Sequence, residues 1–457
     1  MTVPYDWTRG EIAVVGLGRS GVSATMLLRR LGAQVYASDA GTTPAGTDAS
    51  LRAIGASVQS GAHDLARVAG AALVVTSPGV PPDAEALVAA RTAGVPIISE
   101  VELALAAMPG LRYVAITGTN GKSTVTALVA HLLRSVGVAA EAAGNIGTPL
   151  SELALRPTPP SWVALEVSSF QLHDTPSMAP AVGVLTNLAP DHLDRYPSVD
   201  AYYADKELLF RHATSASQWV VNADDEGVMA MVKRHPGVQH RFATSGRLCD
   251  AFLGGKGKQQ LIVRDETLML RRELPLLGDH NVANALAAAL AVMATDDAHE
   301  SLDDRARLAA ALRAFRALPH RLEPVAEVGG VLWIDDSKAT NVESARVAIE
   351  SMTRPAVLLL GGRHKGEPYT ALIGAIARHC RIVLAYGEAA PLIEGDLAGR
   401  AAVQRVDGGF DAVVQRAREL ARPGDAVLLA PACSSFDMFR NYEERGRTFA
   451  AAARGEG

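Results

Sequence analysis

Cysteine is nearly missing from this chain: Cys249, Cys380 and Cys433 are the only three in 457 residues. They are odd in number and far apart, which excludes a disulfide framework and any zinc-binding spacing and points to a reducing cytoplasm. An excess of positive charge is also missing. The 44 lysines and arginines are outnumbered by 49 aspartates and glutamates, for a formal net charge of −5. That balance argues against general nucleic-acid or anionic-membrane binding but permits a local basic pocket for a phosphorylated ligand. The opening "MTVPYDWTRGEIAVVGLG" lacks a basic segment followed by an apolar one, so no signal peptide is expected. The longest helix-like apolar run, Ala285 to Ala294, is about half of the ~20 residues that cross a bilayer and reads as a buried helix. No repeat of fixed period is present, and neither a nucleic-acid nor a membrane partner is expected.

What remains is a globular composition, 48% hydrophobic, in a chain long enough for two to four domains. Strand-length apolar runs alternate with longer segments of helical period, which predicts an α/β protein with mostly parallel sheets. A first unit begins at Ile12 and continues through "ALVVTSPGV" to about Met108. A second starts at "LRYVAITGTNGKST" and includes strands at "WVALEV", "VGVLTN" and "WVVNAD". A boundary at "FRALPHRLEPV" precedes four further strands, "VLWIDDS", "AVLLLGG", "RIVLAYG" and "AVLLAPA". The expected domains are 1–108 (Rossmann-like), 109–317 (P-loop ATPase-like, mostly parallel) and 318–457 (Rossmann-like).

Two glycine turns stand between a strand and a helix. "GLGRSG" sets Gly16, Gly18 and Gly21 where backbone N–H groups can meet a diphosphate, with Asp39 after the next strand to accept a ribose hydroxyl. The bare pattern is weak, and a Rossmann-like unit without a dinucleotide is the plain alternative. "GTNGKST", Gly118 to Thr124, is sharper. It is shorter than the usual P-loop, yet it keeps the backbone cradle, a lysine charge at Lys122 and a hydroxyl for Mg²⁺ at Ser123.

Downstream, Glu166 interrupts an apolar strand near its end, where a carboxylate is costly unless a cation neutralises it. A paired strand-edge acid is the alternative. Asp191, His192 and Asp194 cluster where the next strand opens into a loop, and His192 beside such a site suits a metal or substrate role. Lys206, on its own, reads as a solvated lysine on a helix. Asn281 and Asn284 open a helix at i, i+3 spacing, able to hydrogen-bond a flat heterocycle. Arg321, Asp336, Lys338 and Thr340 sit near the second boundary, as a ligand-binding group or a salt-bridge cluster.

Taken in order, "GLGRSG", "SPGV", "GTNGKST", "GNIG", "EVSSFQL", "DHLDRY", "VNADD", "HNVAN", "LPHRLE", "DDSKATN" and "PACSSFDMFRNYEERG" resemble the Mur ligase family over nearly the full length. "SSFQL", "DSKATN" and "PACSSFD" point to its D-glutamate-adding branch, and the "DNPR" signature of the diaminopimelate- or lysine-adding branch is missing.

The resemblance implies an ATP-dependent, peptide-bond-forming ligase of peptidoglycan precursor synthesis, cytoplasmic and monomeric. Its cofactors would be ATP, two Mg²⁺ ions and a CO₂-derived carbamate on Lys206, which overturns the solvated reading of that lysine. UDP-MurNAc-L-Ala would lie along Gly18, Arg19, Ser20, Asp39, Gly79, Asn145, Gln171 and His192. ATP would take Gly118, Thr119, Asn120, Gly121, Lys122, Ser123, Thr124, Asn281, Asn284, Arg321 and Asp336. Metal would be held by Ser123, Glu166, His192 and carbamoylated Lys206. Glutamate would meet Thr340, Lys365, Ser435 and Tyr442, although "GGRHKGEPY" departs from several family versions around Lys365 and some members have phenylalanine at Tyr442. Lys338 is the candidate for stabilising an oxyanion and His192 for handling the amine proton, with Lys122 and Lys206 completing the catalytic set. An L-glutamate-adding relative and a folylpolyglutamate-synthase-like ligase remain alternatives. The latter lacks a "GLGRSG" domain, and a Rossmann dehydrogenase needs no Lys122–Glu166–Lys206 set.

Overall fold

A computed structural model describes residues 5–192 and 195–455; Asp194 lies outside them. The described residues form three sheets. By its contacts it divides into two compact units: one runs to Glu273 and includes Ala283–Arg313, and the other comprises Leu274–Val282 and the chain from Ala314 on.

The first unit holds two sheets. One is wholly parallel, in the order Ser57–Ser60, Gln34–Asp39, Glu11–Val15, Leu73–Thr76, Ile97–Ser99. Its strand order reverses around Glu11–Val15, and the crevice beyond the strand ends at such a reversal is where α/β sheets bind ligands. The second has nine strands. Its parallel part places Arg112–Thr117 between Val182–Leu185 and Trp162–Glu166, so the glycine loop and Glu166 leave the sheet at the same end. The excursion expected around Thr244–Gln260 supplies short strands, Ala251–Gly254, Gln260–Val263 and Glu266–Leu270, joined in antiparallel fashion.

Helix Lys122–Ser135 follows from its sequence. Val125, Leu128, Val129, Leu132 and Leu133 are fully buried, the stripe expected of an amphipathic helix. Gly137 closes it at φ +85, with Val138 N donating to Leu133 O at 3.0 Å, the left-handed cap that glycine accepts without strain. The apolar run from Ala285 lies inside helix Asp279–Met293, and Ala285 to Met293 are buried. No helix among the described residues is long and apolar enough to cross a membrane.

In the second unit a six-stranded sheet runs Glu323–Val328, Val331–Asp335, Ala426–Leu429, Ala356–Gly361, Cys380–Tyr386, Val403–Arg405, parallel except at the first pair. Leu358 and Leu360 pack into one core and Val357 and Leu359 into another on the opposite face. Burial on both faces explains the unbroken apolar run "AVLLL".

One buried acid of the first unit carries no expected catalytic role. Glu100, 1% exposed, accepts the Ser151 N–H through Oε1, while Oε2 is buried without a partner. Burial pushes its carboxyl up to about 7 from 4.5. Because the folded value is the higher one, native stability falls as pH rises from 4.5 to 7, and the full penalty stands above 7. Glu100→Gln keeps the acceptor for Ser151. It is expected to stabilise the protein at pH 8 by up to about 3 kcal/mol and to give no advantage below pH 4.5, as read by urea unfolding at both pH values.

Candidate active site

The glycine loop after Arg112–Thr117 is held from behind by the segment after Val182–Leu185. Thr119 N donates to Asn187 O at 2.9 Å, Asn120 N to Asn187 Oδ1 at 2.8 Å, and Thr186 Oγ1 to Asn120 O at 2.6 Å. Two glycines are obligatory. A Cβ on Gly118 (φ +140) would stand 2.0 Å from Thr186 Oγ1, and one on Gly121 (φ +84) would stand 2.5 Å from Asn284 Oδ1. Lys122 Nζ folds back onto the carbonyls of Gly118 and Thr119, at 2.9 and 2.7 Å. Ser123 and Thr124 are buried in the first turn of the helix.

Lys206 is 1% exposed; its reading as a solvated lysine is wrong. Its Nζ donates to Gly118 O at 2.7 Å and lies 4.5 Å from the centre of the Tyr202 ring. Burial first, and the neighbouring charge of Lys122 second, hold its pKa well below the usual lysine range, against the opposing pull of Asp191 and Glu166. Sequence period could not show this, because the carbonyl that receives Nζ arrives from 88 residues away.

Glu166 ends its strand and is 2% exposed. Asn145 Nδ2 donates to Oε1 at 2.9 Å, and Oε2 is buried with no partner. A buried carboxylate oxygen left unsatisfied is costly unless a cation meets it. A carboxylate oxygen of this kind is a donor that suits a hard divalent ion, so Glu166 fits Mg²⁺. His192 is held at φ +56, with ring neighbours Phe170 at 5.5 Å and Tyr202 at 6.0 Å and its side chain 42% exposed. Gln171 Oε1 accepts from Ser168 N in a capping box, while its Nε2 is buried without a partner.

Beyond the first sheet, Gly18, Arg19, Ser20, Asp39, Gly79 and Asn145 line one cavity of about 510 Å³. Gly21 packs so closely that a Cβ would sit 1.7 Å from Gly16 O. The Asp39 carboxylate accepts Leu17 N at 2.6 Å and Gly41 N at 2.8 Å, so it shapes the glycine turn. Arg19 makes an exposed pair with Glu152 at 3.3 Å.

In the second unit, Lys338 Nζ donates to Tyr442 Oη at 2.9 Å. Asp336 accepts Leu322 N at 3.2 Å, and burial pushes its carboxyl up to about 7, with Arg321 pulling the other way. Thr340 N donates to Lys338 O at 2.8 Å, Ser435 is buried and Lys365 is exposed. Asn281 Nδ2 donates to Leu277 O at 2.8 Å.

Arg445 is a residue that sequence reasoning missed. It is fully buried and donates to Ser337 Oγ and Ser337 O, at 2.9 and 2.8 Å, and to the carbonyls of Cys433 and Ser434. The signal was the motif "NYEERG", in which only Tyr442 was singled out. His320, Glu323 and Asp335 bring donor atoms within 4.8 Å of one another. His320 Nδ1 sits 2.6 Å from Asp335 Oδ2 and Glu323 Oε2 accepts His320 N, which accounts for them as a hydrogen-bonded cluster.

The comparisons agree along the chain. Residues 10–99 match the Mur ligase MurD-like N-terminal domain, 116–292 the Mur ligase middle domain and 320–433 the Mur ligase glutamate ligase domain. Proteins named UDP-N-acetylmuramoylalanine–D-glutamate ligase are 40% identical in Acidobacterium capsulatum, covering 96% of this chain and 95% of theirs, and 42% identical in Anaeromyxobacter dehalogenans, covering 96% of each. The solved UDP-N-acetylmuramate-alanine ligase of Thermotoga maritima shares the fold with a TM-score of 0.62 at 19% identity, over 98% of this chain and 100% of its own. With near-complete relatives at this identity and matched domains along its length, the chain belongs to the Mur ligase family.

Proposed function

We propose that this protein is the ATP-dependent ligase that joins D-glutamate to UDP-N-acetylmuramoyl-L-alanine. The substrate assignment is supported by relatives bearing that name at 40% and 42% identity over 96% of the chain. The chemistry is carried by one observation: the unpartnered Oε2 of buried Glu166, in the site where Lys206 bonds the glycine loop. We keep the division 1–108, 109–317 and 318–457 as part of this proposal.

The alanyl carboxylate is a poor acylating agent because oxide would have to leave. Its oxygen attacks the γ-phosphorus, the bond to the bridging oxygen breaks, and ADP departs, leaving an acyl phosphate. Lys122 and the loop N–H groups offset the charge that shifts onto the phosphates. Mg²⁺, held by Glu166 with Ser123 and His192, would neutralise phosphate oxygens. The glutamate amine then attacks the carbonyl carbon, phosphate leaves, and the amine proton passes to a base, for which His192 is the candidate. Lys338, whose Nζ donates to Tyr442 Oη, is the candidate for steadying the oxyanion.

Lys206 takes the further role of a carbamate. Desolvation lowers the pKa of the buried amine and so favours its neutral form, which is nucleophilic towards CO₂; the N–C bond forms, the nitrogen loses one proton, and the lysine would become an anionic oxygen donor for a second Mg²⁺. Asn284 beside Gly121, Asn281, Arg321 and Asp336 are assigned to ATP, and Thr340, Lys365, Ser435 and Tyr442 to glutamate. The test uses substrate labelled with ¹⁸O in the alanyl carboxylate. One label is expected in the phosphate released with D-glutamate and ATP; unlabelled phosphate during full turnover would exclude the acyl phosphate. Faster turnover with L-glutamate would reverse the stereochemical assignment.

A further inference from the structure

His63 lines the same cavity as Gly18, Arg19 and Asp39 and has no part in the reading above, on which the following rests. It lies between strand Ser57–Ser60 and helix Leu65–Ala69, in a segment tied down on both sides. Gly61 N donates to Gly41 O at 2.9 Å, and Asp64 N donates to Tyr36 Oη at 2.8 Å. Tyr36 Oη in turn donates to Gln59 Oε1 at 2.9 Å. The ring is held as well, with Nδ1 2.9 Å from the Oγ of Ser38, itself fully buried. Nε2 has no partner among the described residues. So constrained a ring at a cavity wall, with one nitrogen engaged and one uncommitted, is prepared for a single directional hydrogen bond.

The sheet order says which part of a ligand would meet it. The glycine turn follows the central strand Glu11–Val15, Asp39 ends the adjoining strand, and His63 follows the outermost strand on that side. Gly79 lies on the opposite side, after Leu73–Thr76. A diphosphate seated on the glycine turn would run its nucleoside past Asp39 towards His63 and its sugar towards Gly79 and Asn145, all of which line this cavity. The charge agrees. Burial lowers the His63 pKa, while Asp39 and Glu85 pull it upward. Arg19 lines the same cavity, and the adjoining Asp64 turns its carboxylate onto Arg67 N; a lowered pKa favours the neutral imidazole, which offers direction to a base rather than charge to a phosphate.

We infer that His63 is a specificity-determining residue for the uridine of the substrate, its Nε2 hydrogen-bonding the pyrimidine ring. The test compares the full-length protein with His63→Ala and His63→Gln in steady-state kinetics, and measures UMP binding by calorimetry and inhibition by pyrophosphate. His63→Ala is expected to raise KM for UDP-MurNAc-L-Ala and to weaken UMP binding, both by about tenfold, the upper end for one neutral hydrogen bond. The kcat, the KM for ATP and the pyrophosphate inhibition constant should stay within about twofold, and His63→Gln should recover part of the loss. Unchanged KM and UMP affinity in His63→Ala would overturn the inference while leaving the ligase reading intact. Equal losses for UMP and pyrophosphate would overturn it in favour of a structural role. A parent protein inactive on UDP-MurNAc-L-Ala would remove the reading beneath it.

Discussion

Glu166→Gln is expected to lower kcat/KM by about 10³-fold and, in metal-free buffer, to raise the unfolding temperature by a few degrees. The two effects have one origin. Oε1 accepts from Asn145, a bond that an amide oxygen preserves, but Oε2 is a buried carboxylate oxygen with nothing to meet it. That unmet oxygen destabilises the protein alone, and under the proposed mechanism it would meet a divalent cation during turnover. A neutral amide removes much of the cost, on the order of 1–3 kcal/mol, and with it the anionic ligand that the proposed mechanism gives the metal. Phosphate release at saturating substrates and melting in EDTA read the two sides separately. Retained turnover with no rise in melting temperature would refute a metal-binding role for Glu166.

The second large effect concerns Lys206. Lys206→Met is expected to reduce kcat at least ~10²-fold, the scale on which lost electrostatic stabilisation is felt. In buffer stripped of CO₂ the parent should lose activity and regain it on adding bicarbonate, while the variant responds to neither. A ¹³C-carbamate resonance should appear in the parent with labelled bicarbonate and be missing from the variant. The ionisation adds a stability signature. Since the folded pKa lies well below 10.5, the parent gains stability as pH rises towards 10.5, and the advantage of Lys206→Met at pH 7 should shrink over that range. Full activity without CO₂ would remove the carbamate from the mechanism.

How far the sequence foretold this site depended on the residue. Glu166 stood out because an acid interrupts an apolar strand, and the Gly118–Thr124 loop because a strand and an amphipathic helix flank it. The burial of Lys206 was invisible: its helix carries acids and tyrosines on several faces, and only the arrival of Gly118 O turns it inward. Asp39 was correctly placed at a strand end, yet its bonds to Leu17 and Gly41 depend on turn geometry that no spacing reveals. Among strands, the four apolar runs of the last sheet were plain. Strand Glu323–Val328 was not, since it contains Pro324 and two acids on an antiparallel edge, where a missing N–H and solvent exposure are tolerated. Strand Ala140–Gly144 is mostly alanine and owes its state to pairing with Trp162–Glu166 rather than to propensity.

The single guanidinium of Arg445 grips Ser337 on one loop and Cys433 and Ser434 on another. Lys338 and Ser435, the neighbours of those anchors, are therefore coupled in space although almost a hundred positions separate them along the chain. If glutamate binds here as proposed, divergence of amino-acid preference must proceed by paired changes, because altering either loop alone pulls the shared peg away from the other.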